Sequence, residues 1–86
     1  MAKALKNVFI RTVTNFYVGE VAAVNGKWIR LKKAAWVTDT GRFSEAMATG
    51  KLCEVECYPP DMVVNVAVSS VVDFCEWPYE LPTTSV

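Results

Sequence analysis

Residues 17–37 read YVGEVAAVNGKWIRLKKAAWV. Two runs rich in β-branched and aromatic residues flank Asn25-Gly26, the strongest short-range hairpin signal in the chain. Both central residues of a type I′ turn need positive φ, which Asn and Gly tolerate best. The sequence therefore predicts a strand from about Tyr17 to Val24, a two-residue turn, and a third strand from Lys27 to about Val37. Pairing across that turn sets Ala22 opposite Ile29 and Val21 opposite Arg30.

Outward from the hairpin, residues 7–14 (NVFIRTVT) read as a first strand, with a bend at Asn15 and Phe16. After Val37 the period changes. Thr38-Asp39-Thr40 offers three capping side chains, and Gly50 is a natural stop. Phe43, Ala46 and Met47 between them make the apolar stripe of a short helix, about residues 40–49. Residues 52–58 (LCEVECY) alternate, with Cys53, Val55 and Cys57 facing one way and Glu54, Glu56 and Tyr58 the other. Pro59-Pro60-Asp61 breaks the chain, residues 62–68 form a strand, Ser69-Ser70 a tight break, and Val71–Trp77 the last strand. The expectation is one mainly β domain over residues 1–82, a small barrel of five to six strands with one inserted helix, and a frayed tail over 83–86.

Eighty-six residues bury a thin core, and small scaffolds add disulfides, metals or partner subunits to compensate. A hydrophobic content of 52% and a mean hydropathy of +0.22 are rich for so small a domain, so apolar surface is expected to meet another copy. No apolar run approaches the roughly 20 residues of a membrane span, so no membrane partner is expected. The opening MAKALKN has no apolar leader, and an odd count of three cysteines argues against a secreted disulfide framework. A cytosolic location is expected. Net charge is zero, but residues 1–51 hold all nine Lys and Arg with only Glu20, Asp39 and Glu45, whereas residues 52–86 hold six acids and no base. The halves either neutralise each other within one fold, form a basic face for an anion, or meet between subunits.

There is no histidine, which removes the commonest general base and metal ligand. Ser44, Ser69, Ser70 and the cysteines lack a recognisable base partner, so the chain is not expected to be an enzyme or to hold a cofactor. Cys53, Cys57 and Cys75 fall one ligand short of a zinc site, and buried thiols are expected instead of a metal. Thr40, Gly41 and Arg42 carry the parts of a phosphate site at a helix start, with Arg42 as a forked cation and Asp39 suited to a ribose hydroxyl. The plainer alternative is a helix cap with a surface arginine. Trp28, Arg30 and Lys32 share one face of the third strand. With Trp36, Tyr17 and Arg11 nearby, bases could stack beside cations. The alternative is that the tryptophans cover core or subunit interface.

Gly19-Glu20-Val21, Asn25, Trp28-Ile29-Arg30-Leu31 and Ala34 resemble the first Sm signature, one residue short. Ala67-Val68-Ser69-Ser70-Val71-Val72 resembles the strand–turn–strand segment of the bacterial Sm-like RNA chaperone. The resemblance implies an SH3-like or Sm-like barrel with a habit of forming rings. Asn65 and Val66 stand where the chaperone carries a basic residue and a histidine that contact RNA, so its uridine site does not carry over. MAKALKN leaves little room for the N-terminal Sm helix. The wider pattern of Ile10–Thr14, Ala34–Val37, Asp39–Phe43, Glu76-Trp77-Pro78 and Leu81-Pro82 looks like a family of short uncharacterised bacteriophage proteins. That implies the cytoplasm of a bacterial host and a role in takeover, counter-defence or the virion. The leading expectation is a non-catalytic homo-oligomer that binds a nucleotide-like anion, in a phage setting a host immune signalling nucleotide. A single-stranded nucleic-acid binder and a protein-interaction or virion component are the alternatives.

Overall fold

The computed structural model describes residues 7–85; the expectations for residues 1–6 and Val86 lie outside the described residues. Strands β1 (Asn7–Thr12), β2 (Phe16–Val24) and β3 (Trp28–Asp39) precede helix α1 (Phe43–Thr49), followed by β4 (Glu54–Cys57), β5 (Val64–Ala67) and β6 (Val71–Glu76). A 3-10 turn at Val68–Ser70 joins the last two strands. All six strands form one antiparallel sheet in the order β4-β3-β2-β1-β6, with β5 also paired to β3. This is the expected mainly β, barrel-like fold with one short helix. Among the described residues no helix is long and apolar enough to cross a membrane.

The hairpin lies where Asn25-Gly26 predicts it, but the turn is not type I′. Among the described residues only Lys33, Gly41 and Gly50 have positive φ, so neither Asn25 nor Gly26 does. Instead Asn25 Oδ1 accepts the N–H groups of Lys27 and Trp28, each at 2.8 Å, and Asn25 N–H donates to Trp28 O at 3.0 Å. The side-chain oxygen closes the loop in place of a left-handed backbone, as Asn does in an Asx turn. The loop is longer than two residues, so the register also differs. Val24 pairs with Ile29, Ala23 with Arg30 and Val21 with Leu31.

Strand β3 bends because it carries an extra residue. Val18 pairs with Ala35 but Glu20 with Lys32, so Gly19 faces both Lys33 and Ala34, and Lys33 takes φ 52° to make the bulge. A Cβ on Gly19 would sit 3.2 Å from Ala34 Cα, so glycine permits the close approach there. An extra residue reverses which side chains point to which face of the sheet. Before the bulge, Ile29 and Leu31 join Val8, Ile10, Val21, Ala34 and Val66 in a first core. After it, Ala35 and Val37 join Phe9, Val18, Val55 and Trp77 in a second core on the opposite face. Strand β1 supplies both, so Val8, Phe9 and Ile10 are all buried.

The second core is closed by α1 and the C-terminal arm. Ala46 of α1 is buried, and Met47, Tyr79 and Leu81 pack against the second core. Phe9 stacks between Phe16 and Trp77, each 5.5 Å away, and Tyr79 meets Trp77 edge-on at 5.0 Å. The Tyr79 hydroxyl donates to Met47 O at 2.7 Å, tying the arm to the helix. Within the tail expected to fray from Thr83, the Ser85 hydroxyl accepts the Cys57 N–H at 2.9 Å.

Candidate functional site

The segment expected to cap a helix does something else. Strand β3 runs through Asp39 and α1 begins only at Phe43, preceded by Arg42 without a side-chain cap. Thr38 Oγ1 donates to Glu54 O at 3.3 Å, so it serves the β3–β4 ladder. Thr40 Oγ1 donates to Gly41 O at 2.9 Å, and Asp39 Oδ1 accepts Gly41 N–H at 2.8 Å. Gly41 has φ 71°, which turns the chain from strand to helix. Its amide is therefore already occupied by Asp39, a correction to the expected backbone cradle.

Helix α1 has seven residues, about 10 Å, and ends at Gly50 in the left-handed conformation with φ 77°. The chain then turns back, and residues 51–53 return beside residues 40–42. Thr40, Gly41, Arg42, Glu45, Thr49, Lys51, Leu52 and Cys53 line an open groove of about 480 Å³. The structure thus brings together three of the phosphate-site candidates and adds Lys51, which sequence reasoning missed. The signal for it was Gly50, since a stop after a short helix returns the next residue toward the helix start. Arg42 and Lys51 are exposed, and among the described residues neither makes an ion pair. Thr49 Oγ1 donates to Glu45 O at 2.8 Å, so the hydroxyl protons of Thr40 and Thr49 are committed. The charged side-chain donors left for an anion are the Arg42 guanidinium and the Lys51 ammonium.

The other candidates do not join this groove. Arg11 forms a two-pronged ion pair with Asp73 across the β1–β6 ladder. Arg30 Nε donates to Asn65 Oδ1 at 3.3 Å on the neighbouring β5. Trp36 stands across from Tyr17 and Glu56. The bulge at Lys33 puts that pair on the opposite face of the sheet from Trp28, Arg30 and Lys32. The expected single cation–aromatic face is corrected accordingly: Trp28, Arg30 and Lys32 remain a strip on β3, whereas Trp36 and Tyr17 lie elsewhere. Tyr17 packs against the first core beside Tyr58, whose phenol is pushed up by burial and then by Tyr17.

The buried-thiol expectation is also corrected. Cys53 is exposed, because β4 begins only at Glu54, whereas Cys57 is half-buried and packs against the second core beside Val55; Cys75, on β6, is exposed. Burial, and then the nearby Asp73, push the Cys75 thiol up. Among the described residues no group of three metal-ligating side chains comes together. Compared with protein-family models, curated proteins and solved structures, the chain matches none of them.

Proposed function

We propose that the chain is a non-catalytic, self-associating binding protein that holds a small nucleotide-like anion in the groove of Thr40, Gly41, Arg42 and Lys51. One observation carries this: α1 and the Gly50 reversal bring to one groove two cations that make no ion pair among the described residues. Its volume of about 480 Å³ lies in the range of small-molecule sites. Arg42 offers a planar fork that matches a phosphate, and Lys51 a compact second charge. Leu52 gives the ligand an apolar wall, and Glu45 supplies an acceptor for a ribose hydroxyl, a role for which Asp39 is partly spent on Gly41. In the phage setting that the sequence resemblance implies, the ligand is a host signalling nucleotide sequestered in the host cytoplasm. The lack of any histidine supports binding without catalysis.

Incubating the purified protein with a nucleotide panel and identifying retained species by mass spectrometry tests this. A retained nucleotide is expected, with Arg42→Ala removing a charge-assisted bond of roughly 1.5–3 kcal/mol. That is an affinity loss of about ten- to two-hundredfold. Retention of no nucleotide, or equal retention by Arg42→Ala, overturns the site.

Single-strand binding is a second reading, favoured by Trp28, 45% exposed, beside Arg30 and Lys32 on the outer face of β3. A polymer held by its phosphates loses affinity steeply with salt, whereas a small nucleotide shows a shallow slope. Steep salt dependence with long RNA and no small-ligand binding decides for this second reading.

A further inference from the structure

Strand β6 pairs with β1 on one side, and its other edge has no strand partner among the described residues. Unprotected edges are ready templates for another chain, and proteins usually blunt them with lysine, proline or charge. Strand β6 (VVDFCE) holds neither lysine nor proline. The carboxylate at its centre, Asp73, is already paired with Arg11 of the same chain. The register with β1 is regular from Asp73 to Glu76, so the irregularity near Val72 leaves most of the edge straight.

Phe74 is the unusual residue of this edge. It pairs with Ile10, which places it on the face of the first core, yet it is 63% exposed. Beside it lies a groove of about 220 Å³ whose walls include Val8, Ile10, Val21, Val24, Ile29 and Val68. Val24 and Val72 are exposed at 62% and 57%. A projecting phenyl ring and an apolar groove therefore occur on one patch. A two-fold interface requires such self-complementarity, because the same surface serves both copies.

We propose that this patch is where a second copy of the chain docks, with β6 pairing antiparallel to its counterpart about a two-fold axis at Phe74, so that the two phenyl rings cover the two grooves. The proposal rests on the self-association reading above and names its surface. A two-fold normal to the sheet keeps like faces together, so Phe74 meets Phe74, Asp73 meets Cys75 and Val72 meets Glu76. No two carboxylates stand directly opposite, and like charges in that position would oppose pairing. Extended apolar patches of this kind mark interaction sites in otherwise polar surfaces.

Light scattering on the wild-type chain should give about twice 9.6 kDa or a multiple of it. Phe74→Ser should raise the dissociation constant at least about a hundredfold, as loss of a central aromatic anchor does. Circular dichroism should be unchanged, since the side chain is exposed in the single chain, and the melting temperature should fall no further than that of the wild type diluted to its monomer. Asp73→Cys should form a dimer-linking disulfide with Cys75 of the second copy when oxidised glutathione accepts the two electrons, and Cys75→Ser should abolish that link. A wild-type monomer at high micromolar concentration overturns self-association altogether. A wild-type oligomer whose mass Phe74→Ser leaves unchanged, or in which Asp73→Cys gives no cross-link, overturns this surface and leaves self-association standing.

Discussion

At Asn25 the side-chain oxygen, rather than a left-handed backbone, satisfies the amides of the β2–β3 loop, and the two ways of closing a hairpin respond differently to substitution. Asn25→Ala removes the acceptor of two amides and should destabilise the fold by about 1 kcal/mol, whereas Asn25→Asp retains the oxygen and should cost less. Gly26 has no positive φ and open space where a Cβ would stand. Gly26→Ala should therefore be neutral or stabilising by roughly 0.4–1 kcal/mol, through the unfolded chain's lost freedom. A type I′ turn would reverse that sign. Urea unfolding midpoints of the three variants check this, and a clear loss of stability in Gly26→Ala contradicts the Asx closure. By the same reasoning the Arg11–Asp73 pair, with side chains 45% and 59% exposed, contributes at most about 1 kcal/mol. Its effect is to remove a charge from the β6 edge rather than to hold the fold.

Helix α1 is too short to persist alone, so its position depends on what grips its ends. At the C-terminus Gly50 combines φ 77° with a Tyr79 ring that leaves no room for a Cβ. Gly50→Ala should cost more than about 1 kcal/mol and loosen the arm that carries Trp77 and Tyr79. Because Lys51 follows that turn, the same variant should also weaken anion binding, as calorimetry with the retained nucleotide would show. Gly50 was legible in the sequence as a helix stop, as were the succession of strands along the chain and the place of the hairpin, because apolar alternation and turn chemistry are local properties. The faces were not. Alternation read through Lys32-Lys33-Ala34 assumes an unbroken pleat, and an extra residue opposite Gly19 inverts it. That inversion sends Trp36 and Tyr17 away from Trp28 and Arg30. Likewise Thr38, Asp39 and Thr40 suit a helix cap by residue type, but pairing of Asp39 with Glu54 keeps Thr38 and Asp39 in strand β3. Three adjacent candidates, Thr40, Gly41 and Arg42, stayed together because contiguity survives any change of register.

Across the molecule, charge and apolar surface are assigned to different edges, and salt separates their contributions. The basic first half and the acidic second half meet inside one chain, since Arg11 of β1 holds Asp73 of β6. Arg42 and Lys51 remain at the groove, while Val72 and Phe74 of β6 make an apolar margin at the opposite end of the sheet order. If the copies met through their oppositely charged halves, raising salt would dissociate them, because exposed charges are screened within about 10 Å at 0.1 M. The β6 interface places apolar side chains and backbone hydrogen bonds between copies instead. Sodium chloride should therefore leave the oligomer's mass nearly unchanged. Ammonium sulfate should strengthen the assembly, since excluded salts favour burial of apolar surface. Ligand affinity should respond in the opposite sense, falling modestly as salt screens the two cations, with a slope far shallower than a nucleic-acid polymer shows. Light scattering and ligand titration on one sample across a salt series measure both responses. An oligomer that dissociates as sodium chloride rises would place the charged halves, rather than Phe74, between the subunits.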